Sequence, residues 1–208
     1  LIKGADGGSA GPLRSGKGST WEGGVRVPTI AWWPGKIQAS STCDTVAGTI
    51  DLLPTLVSLA GGKVSPGPVI DGRDISPILL GKTKDSTREA HYYFAGYNLQ
   101  AVRQGPWKLA ITPQADTTAK GKGAESNEKQ PRLYNLDKDI GEKENVAAQN
   151  PQVVARLKAL ADKMSDEIGG NKPSARRPAG EVANPKTLYP IVDEPANNKK
   201  GKAAKKAQ

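Results

Sequence analysis

Twenty-four glycines and 16 prolines punctuate this chain of 208 residues, and their placement decides which elements can form. Proline removes a backbone donor and fixes φ, while glycine weakens any helix or strand it interrupts, so each cluster ends the element before it. The combined share lies above the roughly 12% of an average protein. A chain cut this way folds into short strands, turns and loops. One stretch escapes the punctuation. After Asn150-Pro151, the residues Val153, Val154, Leu157, Leu160, Ala161 and Met164 recur at helical spacing until Gly169-Gly170. This pattern predicts an amphipathic helix over 150–168, with Asn150 as N-cap and proline at the first position.

The other elements are read between the breaks. Residues 1–21 are rich in Gly and Ser without periodicity, a loop built around something. The run 25–33 (VRVPTIAWW), closed by Pro34-Gly35, predicts a buried strand whose Pro28 sits near an edge or bulge. In 51–60 (DLLPTLVSLA), Leu52, Leu53, Leu56, Val57 and Ala60 share one helical face, Asp51 is the candidate N-cap and Gly61-Gly62 the stop. Residues 66–80 read as a connector with one helical turn. Four short runs, 91–94, 99–103, 107–111 and 132–136, alternate with turn signals at Gly96, Gly105-Pro106 and Pro113, and predict a small antiparallel sheet. The polar insert 115–130 reads as a long hairpin loop.

The net charge of +9 invites a nucleic-acid partner, but residues 171–208 carry nine basic and three acidic side chains and so hold most of the surplus. That tail has too little apolar content to offset its ordering entropy, apart from a candidate anchor at Leu188, Tyr189 and Ile191. Its end (NKKGKAAKKAQ) reads either as a polyanion-binding segment acting by counterion release or as a solvated terminus, and no aromatic stacking pattern accompanies it. One cysteine excludes a disulfide framework and one histidine excludes a two-His metal motif. No stretch approaches the roughly 20 apolar residues of a membrane span.

The segment 11–28 (GPLRSGKGSTWEGGVRVP) carries the chemistry. Gly11, Gly16 and Lys17 satisfy part of the G-x-x-x-x-G-K phosphate-loop pattern, but Gly18 stands where a hydroxyl must hold magnesium, and no buried strand precedes the loop. An ATP or GTP site is therefore not expected. A lysine among glycines still suits a tetrahedral oxyanion, because bare backbone allows close approach. Lys17 is thus a candidate anion contact; the alternative is an exposed lysine on a flexible loop. Arg14 is read either as a second anion contact or as a partner of Glu22 that holds the loop.

The string 11–37 (GPLRSGKGSTWEGGVRVPTIAWWPGKI) resembles the type I sulfatases, the arylsulfatase family of the alkaline phosphatase superfamily, in their L-R-x-G-K-G-x-x-W/Y-E-G-G run before a strand and W-P-G. DLLPTLVSLAG, DGRDISPILL, AVRQGPWKL and LYNLDKDIGEKEN resemble later landmarks of that family in the same order, so the resemblance spans roughly residues 1–164. It implies the C-terminal part of an alkaline-phosphatase-like α/β sulfatase domain (1–90), a four-stranded antiparallel sheet with a packing helix (91–170) and a basic tail (171–208). It also implies hydrolysis of sulfate esters by formylglycine, made from a Cys or Ser in C/S-x-P/A-x-R, with calcium polarising the sulfate. Lys17 matches the lysine that contacts sulfate.

The departures from the family pattern matter equally. Cys43, in STCDTVAG, fails the nucleophile pattern and reads as a buried or half-buried thiol. Asp6 lies too close to Lys17 to match the family's metal ligand and reads as a turn residue. Nucleophile and metal ligands are accordingly expected upstream, with no metal site in this chain and no turnover by the chain alone. His91, at a strand start, is either a substrate contact near Lys17 or a structural histidine. Trp21, Trp32, Trp33 and Trp107 are read as core. By resemblance the enzyme is periplasmic or extracellular and its substrate a sulfated small molecule or glycan, with nucleic acid not favoured. A phosphoester or phosphonate hydrolase of the same superfamily and a non-catalytic polyanion-binding module are the alternatives.

Overall fold

The structure is a computed structural model that describes residues 8–66, 69–116, 124–125, 131–170 and 184. Its helices are α1 (Glu22–Val25), α2 (Leu52–Leu59), α3 (Ser76–Leu79) and α4 (Pro151–Ile168). After β1 (His91–Ala95), β2 (Asn98–Gln104) and β3 (Trp107–Ala110), a small hairpin of β4 (Ala115–Asp116) and β5 (Ala124–Glu125) intervenes before β6 (Arg132–Asn135). β1, β2, β3 and β6 form one antiparallel sheet in that order, as the turn signals predict.

The sheet has two unlike faces. On one, Leu99, Val102, Leu109 and Leu133 bury against Leu157, Leu160 and Ala161 of α4, the core of the molecule. α4 ends where expected, with Gly169 at φ 83°, a left-handed cap that glycine adopts without steric cost. The side chain of Asn150 departs from expectation: its amide donates to the Val146 carbonyl at 2.9 Å and caps no helical N–H. On the opposite face stand Tyr93, Ala101, Ala110, Lys108 and Tyr134, turned toward residues 14–26. The strand register skips Gln100, pairing Tyr93 with Ala101 and Phe94 with Leu99. At such a bulge two successive residues share a side, so Gln100 and Ala101 face the loop while Leu99 returns to the α4 side.

The first third differs from its reading. Residues 25–33 form no strand beyond the last turn of α1 and lie exposed, Ile30 at 93% and Trp32 at 84%. A strand is stable only when its backbone groups pair, and among the described residues no other strand lies alongside this run. Trp32 and Trp33 are therefore surface residues; Trp21 is core, and Trp107 packs half-buried against the α4 core. α2 forms as expected after a 3-10 turn at Thr49–Asp51, but Leu52, Leu53 and Leu56 are exposed, and it buries Pro54 and Thr55 instead. Asp51 does not cap it. Its fully buried carboxylate accepts the Gly48 and Arg73 N–H groups, each at 2.7 Å, and pairs with Arg88, tying the 66–80 connector to the sheet entrance. The single helical turn expected in that connector is α3. Cys43 is exposed, against the expected burial. Asp6 and nearly all of the tail, including Leu188, Tyr189 and Ile191, lie outside the described residues.

Candidate functional site

The Gly-rich segment folds into a tight loop closed by its own backbone. Gly23 N–H donates to the Arg14 carbonyl at 2.9 Å, and the Ser19 N–H and hydroxyl both reach the Gly16 carbonyl, at 3.2 and 2.9 Å. Gly23 and Gly24 permit this closure. A Cβ at Gly24 would lie 2.3 Å from the Ser19 carbonyl oxygen and 2.7 Å from that of Gly16, and one at Gly23 would lie 2.5 Å from the Arg14 and Ser15 carbonyls. Only glycine allows so close an approach of two backbones. Lys17 and Gly18 are exposed at the tip, whereas Ser15, Ser19 and Thr20 behind them are buried. Lys17 forms no ion pair with any described residue, so its ammonium is available on a fixed support.

Arg14 holds the loop, with partners other than the expected Glu22. Its guanidinium donates to the Glu142 carbonyl at 2.7 Å and stacks 3.7 Å from the centroid of the Trp21 ring. Arg132 lies over the same ring at 4.7 Å, and Tyr134 meets it edge-on at 5.9 Å. Cation–π contact is strongest when desolvated, as it is for Arg132 on the fully buried Trp21 ring, whereas Arg14 is half-buried.

Glu22, fully buried, instead gathers Arg26 at 2.7 Å, Arg103 at 3.1 Å and Lys108 at 3.0 Å, and accepts the Tyr93 hydroxyl at 2.9 Å. Burial pushes its carboxyl up, but Lys108, Arg26 and Arg103 together outweigh that and hold it down at about 2. Lys108 Nζ also donates to the Thr20 carbonyl at 2.8 Å and lies 2.8 Å from Glu142 Oε1, an ion pair not aligned as a hydrogen bond. Glu142 accepts the Glu22 N–H on its other oxygen at 2.8 Å. Burial raises the Glu142 carboxyl, and Lys108 offsets this only in part, since Glu142 has one cation where Glu22 has three. Thr20 is bound further through Gln100 and Gln114, and Gln114 in turn accepts from Arg132.

Among the described contacts none joins His91 to Lys17. It opens β1 half-buried, meets Tyr93 edge-on at 4.9 Å and packs beside Gly48. Burial, with help from Arg88, lowers its pKa, which favours the neutral ring. It lines a cleft with Thr45, Lys84, Arg88 and Arg103, where both arginines are already paired. Sequence reasoning missed Lys108 and Glu142. The available signal was a lysine alternating with apolar residues inside a strand, W-K-L-A, which demands a buried counter-charge. Among the described residues no group of three or more His, Cys, Asp or Glu side chains converges, and no helix is long and apolar enough to cross a membrane.

The model of the C-terminal region of aryl-sulfatase matches residues 86–190 and that of sulfatase matches residues 4–62, so the chain belongs to the sulfatase family. It is 41% identical over 171 residues to arylsulfatase A from Homo sapiens, covering 74% of this chain and 33% of that protein. Steryl-sulfatase from Homo sapiens is 42% identical over 100 residues, covering 48% of this chain and 17% of that protein. A solved structure concerned with the metabolism of multiple glycosaminoglycans by Bacteroides thetaiotaomicron aligns at TM-score 0.63 and 31% identity, covering 75% of this chain and 32% of that one. The chain thus spans about a third of the length of the arylsulfatases and solved sulfatases it matches.

Proposed function

We propose that this chain is the C-terminal portion of a sulfuric ester hydrolase, in which Lys17 contacts the sulfate group. The observation that carries this reading is an exposed ammonium, without an ion-pair partner among the described residues, at the tip of a loop backed by buried Ser15, Ser19 and Thr20 and bonded on both sides. A cation held there stabilises the negative charge that develops on sulfate and leaving-group oxygens, and it does so without reorganising, because the support is already fixed. Arg14 positions the loop. His91 is structural in this reading, half-buried and set edge-on against Tyr93.

The family resemblance assigns the nucleophile to formylglycine and the polarisation of sulfate to calcium. The described residues do not fit either group: no acidic cluster converges, and Cys43 lies outside the C/S-x-P/A-x-R pattern. In the proposed reading both are supplied from outside the described residues, and the isolated chain has no turnover. In the proposed division, 1–90 completes the catalytic α/β domain, 91–170 forms the antiparallel-sheet subdomain and 171–208 is an appendage. A sulfated small molecule or glycan is the proposed substrate, and a periplasmic or extracellular location fits the resemblance. The experiment is aryl sulfate hydrolysis by the enzyme expressed from its complete reading frame, with and without Lys17→Ala. Removing one such charge-stabilising donor lowers kcat by about 100-fold or more. An unchanged rate in the variant rejects the assignment of Lys17.

A further inference from the structure

We infer that Lys108, clamped between Glu22 and Glu142, is a positioning residue that fixes the Lys17 loop from the sheet face beneath it; this rests on the reading of Lys17 as the sulfate contact. Lys108 projects from β3, the second stem of the loop passes over it, and it touches that stem twice, at the Thr20 carbonyl and at the Glu22 carboxylate. Glu142 completes the clamp. Its carboxylate takes the Glu22 N–H while its own carbonyl takes the Arg14 guanidinium, so one residue ties down both stems. Glu142 holds a left-handed backbone, φ 50°, an uncommon conformation for a non-glycine residue that persists only when the surroundings over-determine it.

A buried Glu–Lys–Glu cluster is a poor way to gain stability, because desolvation offsets most of the attraction and apolar side chains of similar size often do as well. What it supplies is direction. The ammonium meets the Thr20 oxygen and both carboxylates at 2.8 to 3.0 Å, fixing the loop stem relative to the sheet in a way that apolar contact does not. All three side chains of the cluster are buried, so its effect passes through Lys17.

The test is amide hydrogen exchange on the 208-residue chain, comparing wild type, Lys108→Met, Lys108→Arg and Glu142→Gln. The amides of Ser19, Glu22 and Gly23 report the loop, and those of α4 report the rest of the fold. The expected result is exchange about tenfold or more faster in the loop of Lys108→Met and Glu142→Gln, partial recovery in Lys108→Arg, and unchanged α4 protection. Loop and α4 amides accelerating together would show a general stability role and overturn the inference. If Lys108→Met fails to fold, Glu142→Gln carries the same comparison, and unchanged loop protection in that variant also overturns it. A second arm separates this inference from the reading beneath it. In the complete enzyme, Lys108→Arg lowers kcat for aryl sulfate if both hold, whereas an unchanged rate in Lys17→Ala combined with a released loop in Lys108→Met removes Lys17 from the chemistry and leaves Lys108 as the residue that fixes the loop.

Discussion

The two faces of the four-stranded sheet are closed by opposite means. Toward α4 the seal is Leu against Leu and Val, a non-directional contact that accepts any side chain of similar volume. Toward the Lys17 loop the seal is Lys108, Glu22, Glu142 and Arg103, where each contact has a length and a direction. The apolar face holds the domain together, and the ionic face sets where one loop stands.

The sharpest way to break this contrast is to remove the ion at its centre. Lys108→Ala leaves two carboxylates buried without their shared cation and is expected to lower the local stability of the loop by about 3–5 kcal/mol, read as faster exchange of the Ser19, Glu22 and Gly23 amides, while α4 protection and the midpoint of urea denaturation hold. Leu157→Ala on the other face is expected to cost about 2–4 kcal/mol by cavity formation, without selectively loosening the loop. Gly24→Ala, which drives a methyl group into the Ser19 and Gly16 carbonyls, is expected to cost about 1–3 kcal/mol and to fall mainly on the loop. Lys158→Ala, which removes an exposed pair with Asp162 on α4, should change stability by no more than about 0.5 kcal/mol in the same assay.

Acid sharpens the comparison within the ionic face itself. The carboxyl of Glu22 is depressed from 4.5 to about 2, so its contribution is fully present above pH 4.5 and is lost as pH falls toward 2. Glu142 is raised, so the stability linked to its proton is present below 4.5 and is lost as pH rises through its folded value. The cost of Glu22→Gln should therefore shrink on acidification while that of Glu142→Gln grows. Parallel pH dependences in the two variants would contradict the assigned asymmetry.

Local patterning made the apolar face legible in advance. The strand runs, their turns and the 3.6-residue spacing of Val153, Leu157, Leu160 and Ala161 are sufficient, because each element finds its partner within the same stretch of chain. Residues 25–33 and the exposed face of α2 were misread for the converse reason. Their apolar content calls for burial, but no described element supplies a surface against it. At the site, composition and resemblance picked out Lys17 and its glycines. The pairing of Glu22 with Lys108 and Glu142 spans separations of 86 and 120 residues, which no local spacing encodes. Arg14 shows the same limit: its structural role was foreseeable, whereas its partner, the Glu142 carbonyl, depends on tertiary geometry.

The bulge at Gln100 acts as a phase shift between two codes written on one strand. An unbroken strand alternates its sides strictly, so Leu99 would share a side with Ala101, either stranding a leucine over the ionic face or turning Ala101 and Arg103 toward the helix. The bulge absorbs the extra residue, so Leu99 and Val102 both face α4 while Gln100, Ala101 and Arg103 face the loop. What the extra residue adds is Gln100 itself, which accepts the Thr20 hydroxyl and donates to the Pro113 carbonyl: deleting it would restore strict alternation, leaving Leu99 and Val102 toward α4 and Ala101 and Arg103 toward the loop, and would remove one bond that ties the loop to the strand.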